Sequence, residues 1–135
     1  MITEDYVSLE TAKLLKEKGF DVPCRSNYRS KYQCDKVPFY HNTPKDFNGK
    51  EYEGLNSEWF STPTLQMAMK WLREKHNKYI DFTTTDNGKG LSWQYEIVEG
   101  TSPFKEYIKA SKKTEYLTYE ECAEKAIKYC LEHLI

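Results

Sequence analysis

Hydrophobic and polar positions alternate with a helical period in three stretches of the chain. In VSLETAKLLKEKGFD, Ser8 is placed to cap a helix over residues 8–18, and Gly19 is placed to end it. In TYEECAEKAIKYCLEHLI, Thr118 and Glu121 have the spacing of a capping box, and apolar residues follow along one side. These patterns predict an amphipathic helix near each end of the sequence.

The third helical stretch, STPTLQMAMKWLREKHN, has an unusually wide apolar face. Thr62 and Pro63 predict its start, and the helix should end near His76. Met67 and Trp71 widen its apolar arc to roughly 200°, where about 100° is usual. A helix with two packed neighbours and a helix that presents Met67 and Trp71 to a partner both explain this width. We favour the first explanation.

Alternation with a period of two is clearest in YIDFTTTDNGKGLSWQYEI. Ile80 and Phe82 lie on one side of a strand, residues 86–90 form a turn, and a second strand returns with its own apolar side. EYIKA and Tyr116-Leu117 are weaker strand candidates. In residues 21–60, prolines and scattered aromatic residues obscure any period, and Asn48-Gly49 is the best hairpin turn there.

These elements predict the α+β class. We expect one small antiparallel sheet with about three helices packed mainly on one face. The length of 135 residues suits one domain, over residues 1–135.

Composition narrows the possible partners. Hydrophobic residues make up 39% of the chain and charged residues 30%, which is enough apolar surface for an independent core. The net charge is -1, so a nucleic acid or an anionic membrane would have to bind through a local patch. No segment has the apolar length of a membrane span.

The start of the sequence and its cysteines indicate the compartment. MITEDYVSLE lacks the basic start and apolar run of a signal peptide, so we expect a cytoplasmic location. In that compartment the four cysteines should stay reduced. Cys122 and Cys130 fall on the apolar side of the last predicted helix, where we interpret them as small core residues.

Residue patterns that support catalysis or metal binding are weak. Cys24, Cys34 and His41 are spaced too loosely for a zinc knuckle, and no nucleophile motif surrounds any of the three histidines. Gly88-Lys89-Gly90 lies between two predicted strands, whereas a phosphate-binding loop must open a helix. We therefore assign no catalytic residue, no metal ligand and no cofactor.

The strongest candidate for a binding site is CRSNYRSKYQCDKVPFYH, residues 24–41. Basic residues alternate there with aromatic ones, a mixture found in ordinary solvated loops, at protein interfaces and in nucleic-acid sites. We rank these explanations in that order. The candidate contact residues, with three from outside the segment, are Arg25, Tyr28, Arg29, Tyr32, Trp59, Met67 and Trp71.

Three blocks carry a resemblance to a known group of proteins: MITEDYVSLETAKLLKEKGFDVPC, TPTLQMAMKWLREKHN and TYEECAEKAIKYCLEHLI. In these blocks the chain resembles a set of small uncharacterised proteins of gut anaerobic bacteria and their phages. That family has no assigned reaction, cofactor or catalytic residue. The resemblance implies an origin on a mobile element, where small effectors and inhibitors are common.

The patterns and the resemblance lead to one expectation about function. We expect a non-catalytic intracellular accessory or effector protein that binds another macromolecule, most plausibly a protein. A nucleic-acid-binding module using residues 24–41 is the first alternative, and a small enzyme with an unrecognised site is the second. Self-association through the Trp71 side stays open, and sedimentation would test it.

Overall fold

A computed structural model of the chain describes residues 2–30, 38–54, 57–101, 104–112 and 114–135. These contain three α-helices and two antiparallel three-stranded sheets. In chain order the elements are α1 (Leu9–Glu17), β1 (Cys24–Arg29), β2 (Phe39–Lys45), β3 (Trp59–Ser61), α2 (Leu65–His76), β4 (Lys78–Asp86), β5 (Leu91–Thr101), β6 (Phe104–Ala110) and α3 (Tyr119–Tyr129). They divide between two compact units, residues 1–66 and residues 67–135.

In the first unit, α1 begins and ends as the sequence predicts. The Ser8 hydroxyl accepts a hydrogen bond from the Thr11 amide at 3.2 Å, which satisfies one of the free N–H groups of the first turn. Gly19 follows the helix with a φ of 86°, a conformation that glycine adopts without strain. The predicted boundaries of this helix are confirmed to within one residue.

The sheet of the first unit has the strand order β2-β1-β3, so β1 is central and β2 lies at an edge. Helix α1 packs against β3, and Lys16 attaches the two by donating to the backbone oxygen of Trp59 at 3.0 Å. Its ammonium group also lies 5.1 Å from the ring centre of Phe60. Tyr28 of β1 is buried, and its hydroxyl donates to the Val7 oxygen at 3.0 Å.

Asn48-Gly49 does not form the predicted hairpin turn. The turn leads from β2 into a short 3-10 helix, Lys50–Tyr52, because Asp46 accepts hydrogen bonds from the backbone N–H groups of both Asn48 and Gly49. The Asn48 side chain accepts from the Ser61 amide and donates to the Phe20 oxygen, both at 2.9 Å. Asn48 therefore connects separate parts of the first unit instead of reversing a strand.

Helix α2 begins two residues later than predicted. The Thr62 hydroxyl donates to the Phe60 oxygen at 3.1 Å and does not cap the helix. Most apolar positions along its wide face are buried, including Trp71, whereas Met67 is half-buried. Burial of Trp71 supports the interpretation that the wide apolar face of this helix packs against other parts of the chain.

In the second unit, β4, β5 and β6 follow one another in the sheet, and α3 packs against β5. The predicted β4–β5 hairpin is confirmed, with Lys78 opposite Glu99 at one end and Asp86 opposite Leu91 at the turn. EYIKA lies within β6, as predicted. Tyr116 makes only an isolated bridge to Trp93, so the predicted Tyr116-Leu117 strand is reduced to a single pair.

Helix α3 begins at the predicted cap, where the Thr118 hydroxyl accepts from the Glu121 amide at 3.2 Å. Cys122 and Cys130 are fully buried, which confirms them as small core residues. The helix continues as a single π-helical turn, Cys130–Leu134.

The α+β class, the three helices and the antiparallel pairing are confirmed. The strands form two sheets of three rather than one sheet, and each sheet has a helix packed against one of its strands. Whether residues 1–135 fold as one domain stays a prediction. In the described part of the chain, no helix combines the length and apolar character needed to cross a membrane.

The Thr118 cap gives a test of the second unit. Thr118→Ala removes the acceptor for the Glu121 amide, so the free energy of unfolding should fall by about 1 kcal/mol. Thr118→Asn keeps an acceptor and should stay within about 0.5 kcal/mol of the parent chain. Urea unfolding of both variants measures the difference, and equal loss in both would contradict a capping role.

Candidate binding site on the first unit

Alternation along β1 places Tyr28 on the opposite face of the sheet from Asn27 and Arg29. Tyr28 faces the Val7 backbone, on the side of the sheet that α1 covers. Arg29 points to the other face, together with Asn27, whose side-chain oxygen accepts from Arg29 Nε at 3.1 Å. The candidate site lies on this second face.

The guanidinium of Arg29 lies against two aromatic rings, one from each neighbouring strand. Its central carbon is 3.8 Å from the ring centre of Trp59 on β3 and 4.4 Å from that of Phe39 on β2. Rings at these distances attract a cation through their negative faces and shield part of it from water. The N–H edge of the planar group is left for further contacts.

Further rings support Trp59 from the segment that follows β2. Tyr52 stacks on Trp59 with ring centres 4.9 Å apart, and Phe47 lies 5.9 Å from Trp59 and 5.2 Å from Tyr52. The Phe47 backbone N–H donates to the Ser61 hydroxyl at 2.9 Å, which fixes this buried ring over the sheet. The position of the Trp59 ring is thus set by packing before any partner binds.

The neutral side chain of His41 lies beside Arg29 and Phe47. Its Nε2 lies 3.4 Å from Nη2 of Arg29, and its ring centre is 4.8 Å from that of Phe47. Desolvation lowers the pKa of His41, and the charges of Arg29 and Lys45 lower it further. At neutral pH the ring is uncharged, so Nε2 can accept a hydrogen bond from Arg29.

Asn27 leaves a buried donor unsatisfied. The residue is fully buried, and its Nδ2 has no hydrogen-bond partner among the described residues, although its oxygen accepts from Arg29. A buried polar group without a partner costs on the order of 1–3 kcal/mol. The N–H group without a partner and the oxygen that contacts the guanidinium belong to the same planar amide.

Strand β2, at an edge of the sheet, presents the exposed part of the site, with Phe39 on the same face as Arg29 and Tyr40, the next residue, on the opposite face. Phe39 is 36% exposed and Tyr40 is 60% exposed, which is high for aromatic residues on a strand. Arg25 reaches across from β1, donating to the Asn42 oxygen at 2.8 Å and to the Tyr40 hydroxyl at 3.3 Å. We call Arg25, Arg29, Phe39, Tyr40 and Trp59 the arginine–aromatic surface.

Three of the predicted contact residues, Arg25, Arg29 and Trp59, come together on this surface. Tyr28 does not join them, because its ring is buried on the opposite face. Tyr32 lies outside the described residues.

The two predicted contact residues on α2 belong to the second unit. Trp71 is buried and lies edge-on to His76, with ring centres 4.6 Å apart, whereas Met67 is half-buried. The contact roles predicted for Tyr28, Met67 and Trp71 form no part of the function proposed below.

Sequence reasoning missed Asn27, Phe47 and Tyr52, and assigned His41 no binding role. The available signal was the alternation from Arg25 through Asn27 to Arg29, which puts the amide on the face of the two cations. The contributions of Phe47 and Tyr52 depend on how residues 46–54 lie over the sheet, and no local pattern shows this path.

The described thiols do not suit nucleophilic or metal chemistry. Cys24, Cys122 and Cys130 are buried thiols, and desolvation raises the pKa of each to about 12. They stay protonated at neutral pH, whereas nucleophiles and metal ligands are thiolates. Among the side chains that the structure describes, no three of His, Cys, Asp or Glu gather closely enough to hold a metal ion, and Cys34 lies outside them.

Comparison with known proteins gives no relative: no family model, no curated protein and no solved structure matches the chain.

The buried thiols predict lower stability at alkaline pH. Each thiol has an ordinary pKa of 9.0, raised to about 12 by folding, so unfolded chains lose protons that the folded chain keeps. The contribution of the thiols to the free energy of unfolding should be constant below about pH 9 and fall above it, by up to about 1 kcal/mol per pH unit for each thiol. Urea unfolding at about pH 7 and pH 10 tests this. Equal midpoints would contradict it.

The neighbouring cation predicts how His41 titrates. Arg29→Gln removes one positive charge, so the pKa of His41 should rise toward its ordinary value of 6.5. The lowered pKa in the folded chain also means that stability falls as the pH drops below about 6.5, because the unfolded ring binds the proton more readily. Ring-proton NMR over this range measures both titrations. An unchanged pKa in the variant would show that Arg29 does not act on His41.

Proposed function

We propose that this chain is a non-catalytic binding protein that contacts another protein through the arginine–aromatic surface. One observation carries the proposal. An arginine is held against fixed aromatic rings beside an edge strand whose Phe39 and Tyr40 rings are exposed. Arginine and large aromatic residues supply most of the binding energy at protein interfaces, and rigid rings lose little entropy on binding.

Charge on the sheet favours an acidic partner. Strands β1, β2 and β3 carry Arg25, Arg29 and Lys45 and contain no Asp or Glu. On a chain with a net charge of -1, this forms a local basic patch. Complementary charge on the partner would speed association and fix its orientation.

Geometry favours a protein over a nucleic acid. Single-stranded nucleic acids bind by stacking bases on exposed rings and on arginine planes. The Arg29 plane is already in contact with Phe39 and Trp59 of the same chain, which leaves its edge as the contact surface. A nucleic-acid-binding role for residues 24–41 remains the alternative, and salt dependence separates the two.

The setting of this function is part of the proposal. The resemblance to small proteins of gut anaerobic bacteria and their phages supports an accessory or effector role that originated on a mobile element. Action in the cytoplasm belongs to the same proposal. A second copy of the chain is a further possible partner, which sedimentation of the purified protein would show.

A pair of matched variants tests the proposed surface. Tyr40 and Tyr107 are exposed to nearly the same extent, 60% and 61%, but Tyr107 lies on β6 of the second unit. Phe39→Ser with Tyr40→Ser should reduce the affinity for a protein captured from a gut anaerobe by about tenfold or more. Tyr107→Ser should leave it unchanged. Tyr107→Ser should unfold within about 1 kcal/mol of the parent chain, and the Phe39/Tyr40 variant should stay folded but lose about 0.5–3 kcal/mol, since Phe39 also contacts Arg29.

The same capture experiment has a clear negative result. Recovery of the same proteins by the parent chain and the Phe39/Tyr40 variant would contradict the proposal. An oligonucleotide that binds the parent chain, with an affinity that falls steeply as salt rises, would favour the nucleic-acid alternative instead.

A further inference from the structure

Arg29 has no acidic partner within the described residues. The ion pairs there join other side chains, and its own contacts are two rings, the Asn27 oxygen and the His41 ring nitrogen. A guanidinium surrounded by rings has lost water that would otherwise hydrate it, and a carboxylate is its best replacement partner. The residues that the structure describes supply none at this position.

A second unmet group lies beside the first. The Asn27 amide is fully buried, its oxygen holds Arg29 Nε at 3.1 Å, and its Nδ2 is without a hydrogen-bond partner. Donors in protein interiors are nearly always paired, so an unpaired one next to an unpaired cation indicates a missing acceptor. The Arg29 guanidinium and the Asn27 N–H would both be satisfied by an oxygen atom with negative charge.

We propose that Arg29 and Asn27 form a carboxylate site that anchors an acidic side chain of the partner protein. The inference rests on the proposed function and specifies the chemistry of its partner. The carboxylate binds along the Nη edge of Arg29. The Asn27 oxygen holds Arg29 Nε on the other side of the guanidinium, so that the Nη edge faces the ligand.

The shape of the site selects a carboxylate over a phosphate. The Phe39 and Trp59 rings lie against the guanidinium, so a ligand approaches in the plane of the group. A carboxylate is planar and can accept two parallel hydrogen bonds from that edge. Neutral His41 adds no second cation in contact with Arg29, so one carboxylate balances the guanidinium.

Titration with small anions tests the site directly. A chain labelled with ¹⁵N is titrated with sodium acetate, with inorganic phosphate and with sodium chloride at matched ionic strength. Acetate should shift the Arg29 Nε–H and Asn27 Nδ2–H₂ signals along a saturating curve, and chloride should not. Equal shifts with acetate and chloride would overturn the site, and stronger saturation by phosphate would overturn the choice of carboxylate.

Two variants separate ligand binding from a structural role. Arg29→Lys keeps the charge but loses the planar edge, so the affinity for a hexaglutamate peptide should fall by about tenfold or more. Arg73→Lys, an exposed residue of α2 in the second unit, is the matched control and should bind like the parent chain. Equal affinity of the Arg29→Lys variant and the parent chain would contradict the proposal.

Asn27→Asp gives the sharpest comparison. Aspartate removes the unsatisfied N–H and gives Arg29 an internal carboxylate, so this variant should unfold at the same or a higher urea concentration and yet lose hexaglutamate binding. If Asn27 has only a structural role, the Asn27→Asp variant should be as stable as the parent chain and should still bind hexaglutamate. If the variant does not fold, Arg29→Lys and the acetate titration still decide the question.

Failure of this inference is distinguishable from failure of the proposed function. If acetate and hexaglutamate leave Arg29 unaffected while the Phe39/Tyr40 variant loses its captured protein, the carboxylate site is wrong and the binding surface stands. If hexaglutamate binds at Arg29 but the Phe39/Tyr40 variant captures the same proteins as the parent chain, the carboxylate site stands and the proposed surface is wrong.

Discussion

Contact between the Arg29 guanidinium and the rings of Trp59 and Phe39 organises the outer face of the first sheet. The two rings come from the strands on either side of β1, so the cation joins all three strands through side chains as well as through the backbone. Such contacts contribute about 0.5–2 kcal/mol each, depending on how far the cation is desolvated. Tyr52, Phe47 and His41 then pack around Trp59, and the segment after β2 is held over the sheet.

The two faces of this sheet have separate roles because of this arrangement. Tyr28 points toward the α1 side and stabilises the unit from within, where its hydroxyl is bonded to the Val7 backbone. Arg29, the next residue, points to the other face, and one N–H edge of its guanidinium is left for contacts with another molecule. A partner can therefore bind one face without disturbing the core on the other. The protonated state of the buried thiols, set by their raised pKa values, likewise favours a binding role over thiolate chemistry.

Sequence patterns predicted the parts of the fold that depend on local physics. Ser8 and Thr118 cap their helices where the capping patterns place them, and the β4–β5 hairpin follows its alternation of apolar residues. The first sheet could not be predicted in this way, since Arg29 meets Trp59 only through pairing between distant strands. In a strand, neighbouring side chains point to opposite faces, so the sequence alone did not show whether Tyr28 or Arg29 is buried. The position of α1 decides which face of the sheet is buried. The aromatic and basic composition indicated the segment that contains Arg25 and Arg29, but not the face on which they lie or the contact between Arg29 and Asn27.

The stacked arginine is the central claim of this account, and NMR of the Arg29 side chain tests it most directly. Rings that close to the guanidinium shield the protons of the arginine side chain. The Arg29 Hδ signals should therefore lie clearly upfield of those of Arg73, and its Nε–H should exchange slowly with water. Arg29 signals that match those of the exposed Arg73 in both position and exchange rate would contradict the account.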